Sequence, residues 1–534
     1  GAAIGREFSY ELIAAVVSMT QASLNAALGQ FTDSGLAFRR GTPPDATYTF
    51  KHALVQDAAY DSLLKSKRAE LHARIGKVLE TVFSDQAASA PELLAHHYTQ
   101  AGNLVTAIPL WRKAGLLALG RVALHEAVGH FQKGLTLIEQ QPPSPERDSV
   151  ELSIREALNG ALIGLRGFAA PEVSVNATSI LQLASGKPQS LLIALYGMWM
   201  NTCTQGRIAD SLPWAQRLLA EGGKVQDVDL QIYGHFTTLN SYLFHGQPIE
   251  AREEAKRVLA LYDPERAERL MQLTPLELKT TVGIWASLWT WSLGYPDQAV
   301  RVSDEKDAHA RMLGHPFNLC HALTMGADVF NYRCEPQRLL ERINEAYKIA
   351  RDQSLPFIYD VMAPVGEGLA LLRSGQLSQA ISLLQRAIDN WRSVGGYTRI
   401  PYMKSALAEA IALQGDLDEG LRLVNECLDQ IERPGWQERW HLVEVLRLKG
   451  WMLMRQGRGP EAEVQLRASI DWARKQQAKS WELRSSTTLA ELLANRGHRD
   501  AARELLAPIY DWFTEGFDTK DLKEAKALLD ELKV

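Results

Sequence analysis

GQLSQAISLLQRAIDNW, residues 375–391, and GDLDEGLRLVNECLDQI, residues 415–431, are one pattern written twice, forty positions apart. In the first, Leu377, Ala380, Ile381, Leu384, Ala387, Ile388 and Trp391 fall on one face of a helix. In the second, Leu417, Gly420, Leu421, Val424, Cys427, Leu428 and Ile431 do the same. Each stretch opens on a glycine, the residue that closes a preceding helix, and a small residue follows five positions later. The couple recurs as Gly246 with Ala251, Gly294 with Ala299, Gly457 with Ala462 and Gly497 with Ala502. Gly206 with Ser211 and a degenerate Cys334 with Leu339 occupy the same slots. Successive marks from 206 to 497 lie 40, 48, 40, 41, 40, 42 and 40 residues apart. A period of this size means that each unit buries its apolar stripe only against its neighbours. The alternation that strands require is not sustained in this region.

Seven residues before the marks sit small side chains, Ala327, Gly368, Ala408, Gly450 and Ala490, with Ser287 in a weaker unit. Four before come bulky ones, Tyr242, Phe330, Leu371, Ile411, Leu453 and Leu493, suited to filling the space between partner helices. These offsets resemble the tetratricopeptide repeat over roughly residues 190 to 515, with a period longer than the usual ~34 residues. The expected fold is therefore all-α: a tetratricopeptide-like superhelix of helical hairpins, an α-solenoid, with a small N-terminal winged-helix module. Residues 1–80 are expected to form that module, with helices at 9–17 and 20–32, then strands around Phe38 and Tyr48 to Phe50. Residues 81–190 are expected to be a helical linker region with outlying hairpins around Gly102 and Glu126, and 191–534 the repeat superhelix with a C-terminal cap. The Pro-rich run 141–145 is the clearest linker candidate.

Composition excludes some functions. At 46% hydrophobic and 23% charged the chain is ordinary folded protein, and a net charge of -5 gives no basic footprint for nucleic acid. The helix expected at 20–32 carries no Lys or Arg to anchor phosphates, which argues against groove reading. Cys203, Cys320, Cys334 and Cys427 are scattered, as in reducing compartments, so a cytoplasmic location is expected. No window approaches the ~18 consecutive apolar residues of a membrane span. Phosphate-cradling, nucleophile-elbow and zinc-protease motifs are absent, so no catalytic residue, metal or cofactor is assigned to this chain.

The stretch YTFKHALVQDAAY (48–60), followed by RAELH (68–72), resembles the winged-helix exit of STAND-type signalling ATPases. GLRGFAAPEV (164–173), AKSWELR (478–484), WFTEGFDT (512–519) and DLKEA (521–525) are similar to a bacterial subgroup joining a nucleotide cyclase, an ATPase core and tetratricopeptide repeats. The resemblance implies a parent that uses ATP and that is a class III nucleotide cyclase or ATPase, of which this chain, starting without Met, is a C-terminal fragment. It implies a non-catalytic interaction and sensor arm that relays partner or effector binding to the NTPase domain of the same parent chain and to its output head. The alternative is a DNA-binding transcriptional regulator of the ATPase-repeat type, with this chain as its effector-binding arm. On the same resemblance His52 senses nucleotide phosphates across an interdomain cleft; the plainer and preferred reading has it capping the helix from Ala53 or packing on Phe50.

Helical register selects the concave face of the superhelix. Counting back 13, 10, 6, 3 and 2 residues from each mark gives Tyr233, Asn240, His321, Asp328, Asn331, Tyr402, Glu409, Glu444, Arg447, Trp451, Arg455, Arg484 and Glu491. This mixture of charge and aromatic surface suits a protein, a peptide or a small effector better than a purely anionic ligand. For any one of them a solvated helix face is the commoner role. Two further features read as packing. Trp285, Trp289 and Trp291 are expected in the core, and the adjacent His96 and His97 point ~100° apart on a helix, which disfavours chelation of one ion.

Overall fold

The computed structural model describes residues 1–271 and 276–533. Its contacts divide the chain into two compact units, Gly1–Leu165 and Arg166–Val534, a division that falls between the boundaries at 80 and 190 expected above. Among the described residues no helix is long and apolar enough to cross a membrane.

The first unit begins with a small sheet. Strands β1 (Glu7–Ser9), β2 (Ala37–Arg40) and β3 (Thr47–Phe50) run antiparallel in the order β1-β3-β2, with Phe8 opposite Tyr48 and Phe38 opposite Thr49. Helices Tyr10–Val16 and Gln21–Asp33 cover it, each started by a hydroxyl side chain, Ser9 and Thr20, that accepts a backbone N–H of the first turn. Phe8, Tyr10, Ile13, Leu24, Leu28, Tyr48 and Phe50 form the core. The two helices and the β2–β3 hairpin lie where the sequence places them. Strand β1 is an addition: a three-residue strand is too short to display an alternating pattern.

Helices Ala53–Asp61 and Lys65–Thr81 follow, then Pro91–Gln100 paired with Leu104–Gly120, then Leu124–Ile138 and Pro145–Arg166. The Pro-rich run is a short turn between the last two of these helices, inside the first unit. His97 is packed in the interior and His96 lies exposed beside it, and a third ring joins them. Their ring centroids are 5.4 Å apart, and His72 from helix Lys65–Thr81 enters beside them, its Nδ1 lying 2.8 Å from Nδ1 of His97. Divergence along one helix does not prevent convergence when a neighbouring helix supplies a third ring.

The second unit is a succession of helical hairpins, among them Pro188–Thr204 with Ile208–Val225, Val228–His245 with Pro248–Leu261, Ala363–Arg373 with Leu377–Ser393, Ile400–Gln414 with Leu417–Ile431, Leu442–Arg455 with Gly459–Lys475, and Lys479–Asn495 with Arg499–Asp511. The marks of the sequence pattern are the turns inside these hairpins. Gly375 closes its helix at φ +74°, a left-handed conformation that costs glycine little. Cys334 takes the same conformation at φ 59° without that freedom, so the degenerate mark keeps the turn at some strain. Five residues on, Ala251, Ala299, Ala380, Ala462 and Ala502 are fully buried where the second helix crosses the first. A Cβ on Gly450 would lie 2.6 Å from the Leu466 side chain, which is why the position seven before the mark is small. Trp285, Trp289 and Trp291 are buried as expected.

One feature of this unit has no counterpart in the repeat pattern: hairpins far apart in sequence touch. The amide of Tyr397 donates to the carbonyl of Thr204 at 2.8 Å, that of Arg439 to Phe244 at 2.8 Å, and Ser480 Oγ to the carbonyl of Trp291 at 2.6 Å. Each contact joins the end of an early first helix to the start of a later one, at the entering loop for Tyr397 and Arg439 and in the first turn of the helix for Ser480. At the last of these places Trp291 packs edge-on to Trp481, ring centroids 4.8 Å apart, and Tyr332 packs against both. Further on, Glu515 accepts from the amides of Asp297 and Gln298 at 2.8 and 2.9 Å, capping the start of helix Pro296–Leu313.

Candidate functional site

The concave positions fall into a sealed group and an open group. Tyr233 is wholly buried and meets Tyr196 and Phe236 edge-on. Asn240 is buried with its amide donating to the Phe236 carbonyl at 2.7 Å, and His321 is buried, stacked parallel to Phe317. These residues are core. The expectation of a solvated or ligand-facing surface is corrected for them, because neighbouring helices and distant loops cover the face they occupy.

Asp328, Asn331 and Tyr402 are also buried, but they form a polar chain. Arg399 is ion-paired to Asp328. Tyr402 Oη donates to Asp328 at 3.1 Å, Asn331 donates to Tyr402 at 2.9 Å, Arg373 Nε donates to Asn331 at 2.9 Å, and Arg373 Nη1 donates to Glu409 at 2.9 Å. Burial pushes the Asp328 carboxyl up, with Arg399 and the Tyr402 hydroxyl opposing it. His441 stacks on Tyr402 with ring centroids 4.3 Å apart, and burial followed by the charge of Arg399 lowers its imidazole to about 3, so it is neutral at pH 7.

Beyond Glu409 the hollow opens into a cavity of about 350 Å³ that reaches the surface. Its lining carries four cations, Arg373, Arg447, Arg484 and Lys520, and five carboxylates, Glu409, Glu444, Glu491, Asp521 and Glu524, with Trp451, Thr487 and Thr488 among them. Arg447 grips Glu444 with two bonds of 2.8 Å. Burial alone would raise Glu444, yet Arg447 and Arg484 hold it down at about 2. Arg484 is the hub: it pairs with Asp521 through bonds of 2.9 and 2.6 Å, donates to the Tyr332 carbonyl at 2.7 Å, and lies over the rings of Trp291 and Trp481. Lys520 stands 3.6 Å from Glu524. Glu491 has no ion pair among the described residues.

Of the expected positions the two adjoining cavities of this hollow bring together Asn331, Tyr402, Glu409, Glu444, Arg447, Trp451, Arg484 and Glu491. Arg455 is exposed and lines neither. Arg373 and Tyr332 were available to sequence reasoning, since each stands two residues before a mark. Arg399, which pairs with Asp328, and His441, Trp481 and Asp521, which line the cavities, were not: Arg399 and His441 come from loops, Asp521 from helix Lys520–Glu531, and Trp481 from the first turn of helix Lys479–Asn495, all outside the register of the pattern. His52 is elsewhere: it occupies the N-cap position of helix Ala53–Asp61, exposed, its carbonyl accepting from Val55 while its side chain makes no capping bond.

No family model matches the sequence. An uncharacterized protein of Rhizobium meliloti (strain 1021) is 24% identical over 507 residues, which cover 92% of this chain and 48% of that protein; the chain thus spans about half the length of the curated relative it matches. Solved structures with a similar trace include the APC/C Cut9–Hcn1 hetero-tetramer, at 13% identity and TM-score 0.40 over 89% of this chain and 95% of that one. Another is a Rap protein complexed with competence and sporulation factor, at 12% identity and TM-score 0.42 over 80% and 99%. Likenesses this loose say nothing about a ligand.

Proposed function

We propose that this chain is a non-catalytic interaction and regulatory arm, and that its partner is a protein or peptide held at the cavity around Trp451, Arg447 and Arg484. The observation that carries this reading is the lining itself: cations and carboxylates in near balance, paired with each other, beside a half-buried tryptophan. A purely anionic ligand would meet Glu409, Asp521 and Glu524 along with the arginines. A peptide backbone with mixed side chains can exchange those internal pairs for its own and cover the indole. In the fuller form of the proposal, binding is relayed to an ATP-using NTPase domain and a nucleotide cyclase head of the same parent protein. The sheet module then acts as a winged-helix relay, with exposed His52 turned toward nucleotide phosphates.

A photo-crosslinking amino acid at Trp451, compared with one at Val464, a 63% exposed position on the neighbouring helix Gly459–Lys475, tests the location. A specific adduct from position 451 and none from 464 is expected. Equal adducts from both, or none from 451 in cells that contain the partner, would overturn the assignment.

A further inference from the structure

Helices Lys65–Thr81 and Pro91–Gln100 bring His72, His96 and His97 to one place, with one ring nitrogen of each within 4.8 Å of the others. No other such cluster of histidine, cysteine or carboxylate ligands occurs among the described residues. We propose that these three histidines form a transition-metal site that takes zinc(II) through three imidazole nitrogens and leaves a fourth position open to solvent.

The geometry is close to what the ion requires. Tetrahedral zinc with nitrogens at about 2.0–2.1 Å sets those nitrogens about 3.3 Å apart. The Nδ1 atoms of His72 and His97 stand at 2.8 Å, so they must part by only about half an ångström. His96 is the exposed member and is free to swing its ring toward the gap, while His72 and His97 are 2% and 3% exposed and fixed by packing. The remaining nitrogen of His72, Nε2, lies 2.9 Å from the Tyr60 hydroxyl. Such an outer hydrogen bond fixes the orientation of a ligating imidazole, and here it directs Nδ1 to the metal.

All three candidate ligands are imidazoles, which bind a metal ion as neutral side chains. A set of imidazoles without carboxylate suits zinc, cobalt, nickel or copper and not calcium or magnesium. Solvent reaches the cluster at exposed His96, where the positive charge of Lys133 opposes a cation and, once one is bound, favours hydroxide or another anion as the fourth ligand.

The test uses the 534-residue chain freed of metal and titrated with cobalt(II), then with zinc(II). One cobalt per chain is expected, with the visible absorption of a low-coordinate imidazole site, displaced by an equivalent of zinc, and zinc should raise the melting temperature. His96→Ala, at an exposed position, should fold normally, weaken uptake at least about tenfold and abolish that rise; Tyr60→Phe should weaken uptake about tenfold through its effect on His72. His72→Ala is the more direct variant, and if it fails to fold, His96→Ala carries the test alone. Failure of the wild-type chain to bind one equivalent, or binding by His96→Ala as tight as wild type, would overturn the proposal and leave the trio as a packed, hydrogen-bonded cluster.

Discussion

Asn240, Asp328, Glu409, Trp451 and Glu491 share a register, each six residues before its mark, and they differ in what lies over them. Asn240 and Asp328 are 4% and 3% exposed, Glu409 and Trp451 are half-buried, and Glu491 is exposed. Local sequence puts all five on the same side of a first helix. The early ones are sealed because the starts of later hairpins, at Tyr397, Arg439 and Ser480, lie across the ends of the early helices. Around the later ones the facing element is helix Lys520–Glu531, which reaches in with Asp521 and leaves a cavity of about 350 Å³. One periodic pattern therefore builds a core at one end and an open cavity at the other, and the deciding contacts are those between distant hairpins.

The largest effects are expected at the sealed end. Arg399→Ala leaves Asp328 buried without its cation and should cost about 3–5 kcal/mol in denaturant unfolding, whereas replacing both partners, Asp328→Leu with Arg399→Met, should recover much of that loss. Trp481→Ala, which empties the space between Trp291 and Tyr332, should cost a similar ~3–5 kcal/mol. A loss below ~1 kcal/mol in both single variants would mean that the distant hairpins touch without holding each other, and the contrast between the two ends would fail.

Next comes a pH effect. Burial pushes the Glu438 carboxyl up to about 8 against the opposing influence of Arg399, whose backbone amide it accepts at 2.9 and 3.0 Å. An acid that holds its proton more tightly in the folded state stabilises the fold fully below its ordinary value of 4.5, and that contribution is lost as pH rises toward 8. Melting temperature should therefore fall between pH 5 and pH 9 by the equivalent of up to about 4 kcal/mol, and Glu438→Gln, which keeps an acceptor for the amide, should flatten the decline. Parallel profiles for the two proteins would show that Glu438 does not titrate as described.

The extent to which this was legible follows from the range of each constraint. Gly375 and Ala380 announce a turn and a helix crossing because both requirements are local and recur every forty residues or so. Asp328 and Tyr402 could be placed on the concave face by counting, but not as buried, because the residue that covers them, Arg399, comes from a loop outside the count. His96 and His97 stood out as a pair, whereas His72, 25 residues before His97, joins them only through the packing of two helices. Strand β1 was missed for the opposite reason: its signal is local but only three residues long.

At the open end the effects on stability should be smaller and those on binding larger. Arg447→Ala removes one of three cations that hold Glu444 down, and with Arg484 still 3.8 Å from that carboxylate and Arg373 beyond it the cost should be about 1–2 kcal/mol. Glu491→Gln should change stability by less than about 0.5 kcal/mol, since it is exposed and has no ion pair among the described residues to break. Among the described residues its carboxylate is nevertheless the charge in the lining that makes no ion pair, with burial and Glu524 acting against its charged form and only Arg447 favouring it. The other described charges of the lining stand in pairs, Arg373 with Glu409, Arg447 with Glu444, Arg484 with Asp521 and Lys520 with Glu524, so a lysine, an arginine or an amino terminus of an entering peptide gains most at Glu491. Neutralising it should weaken partner capture about fivefold or more, by roughly 1 kcal/mol, with melting unchanged, as expected of a half-desolvated ion pair. Capture unaffected by Glu491→Gln but lost in Arg447→Ala would place the anchor on the cationic side of the cavity and make the partner acidic instead of basic.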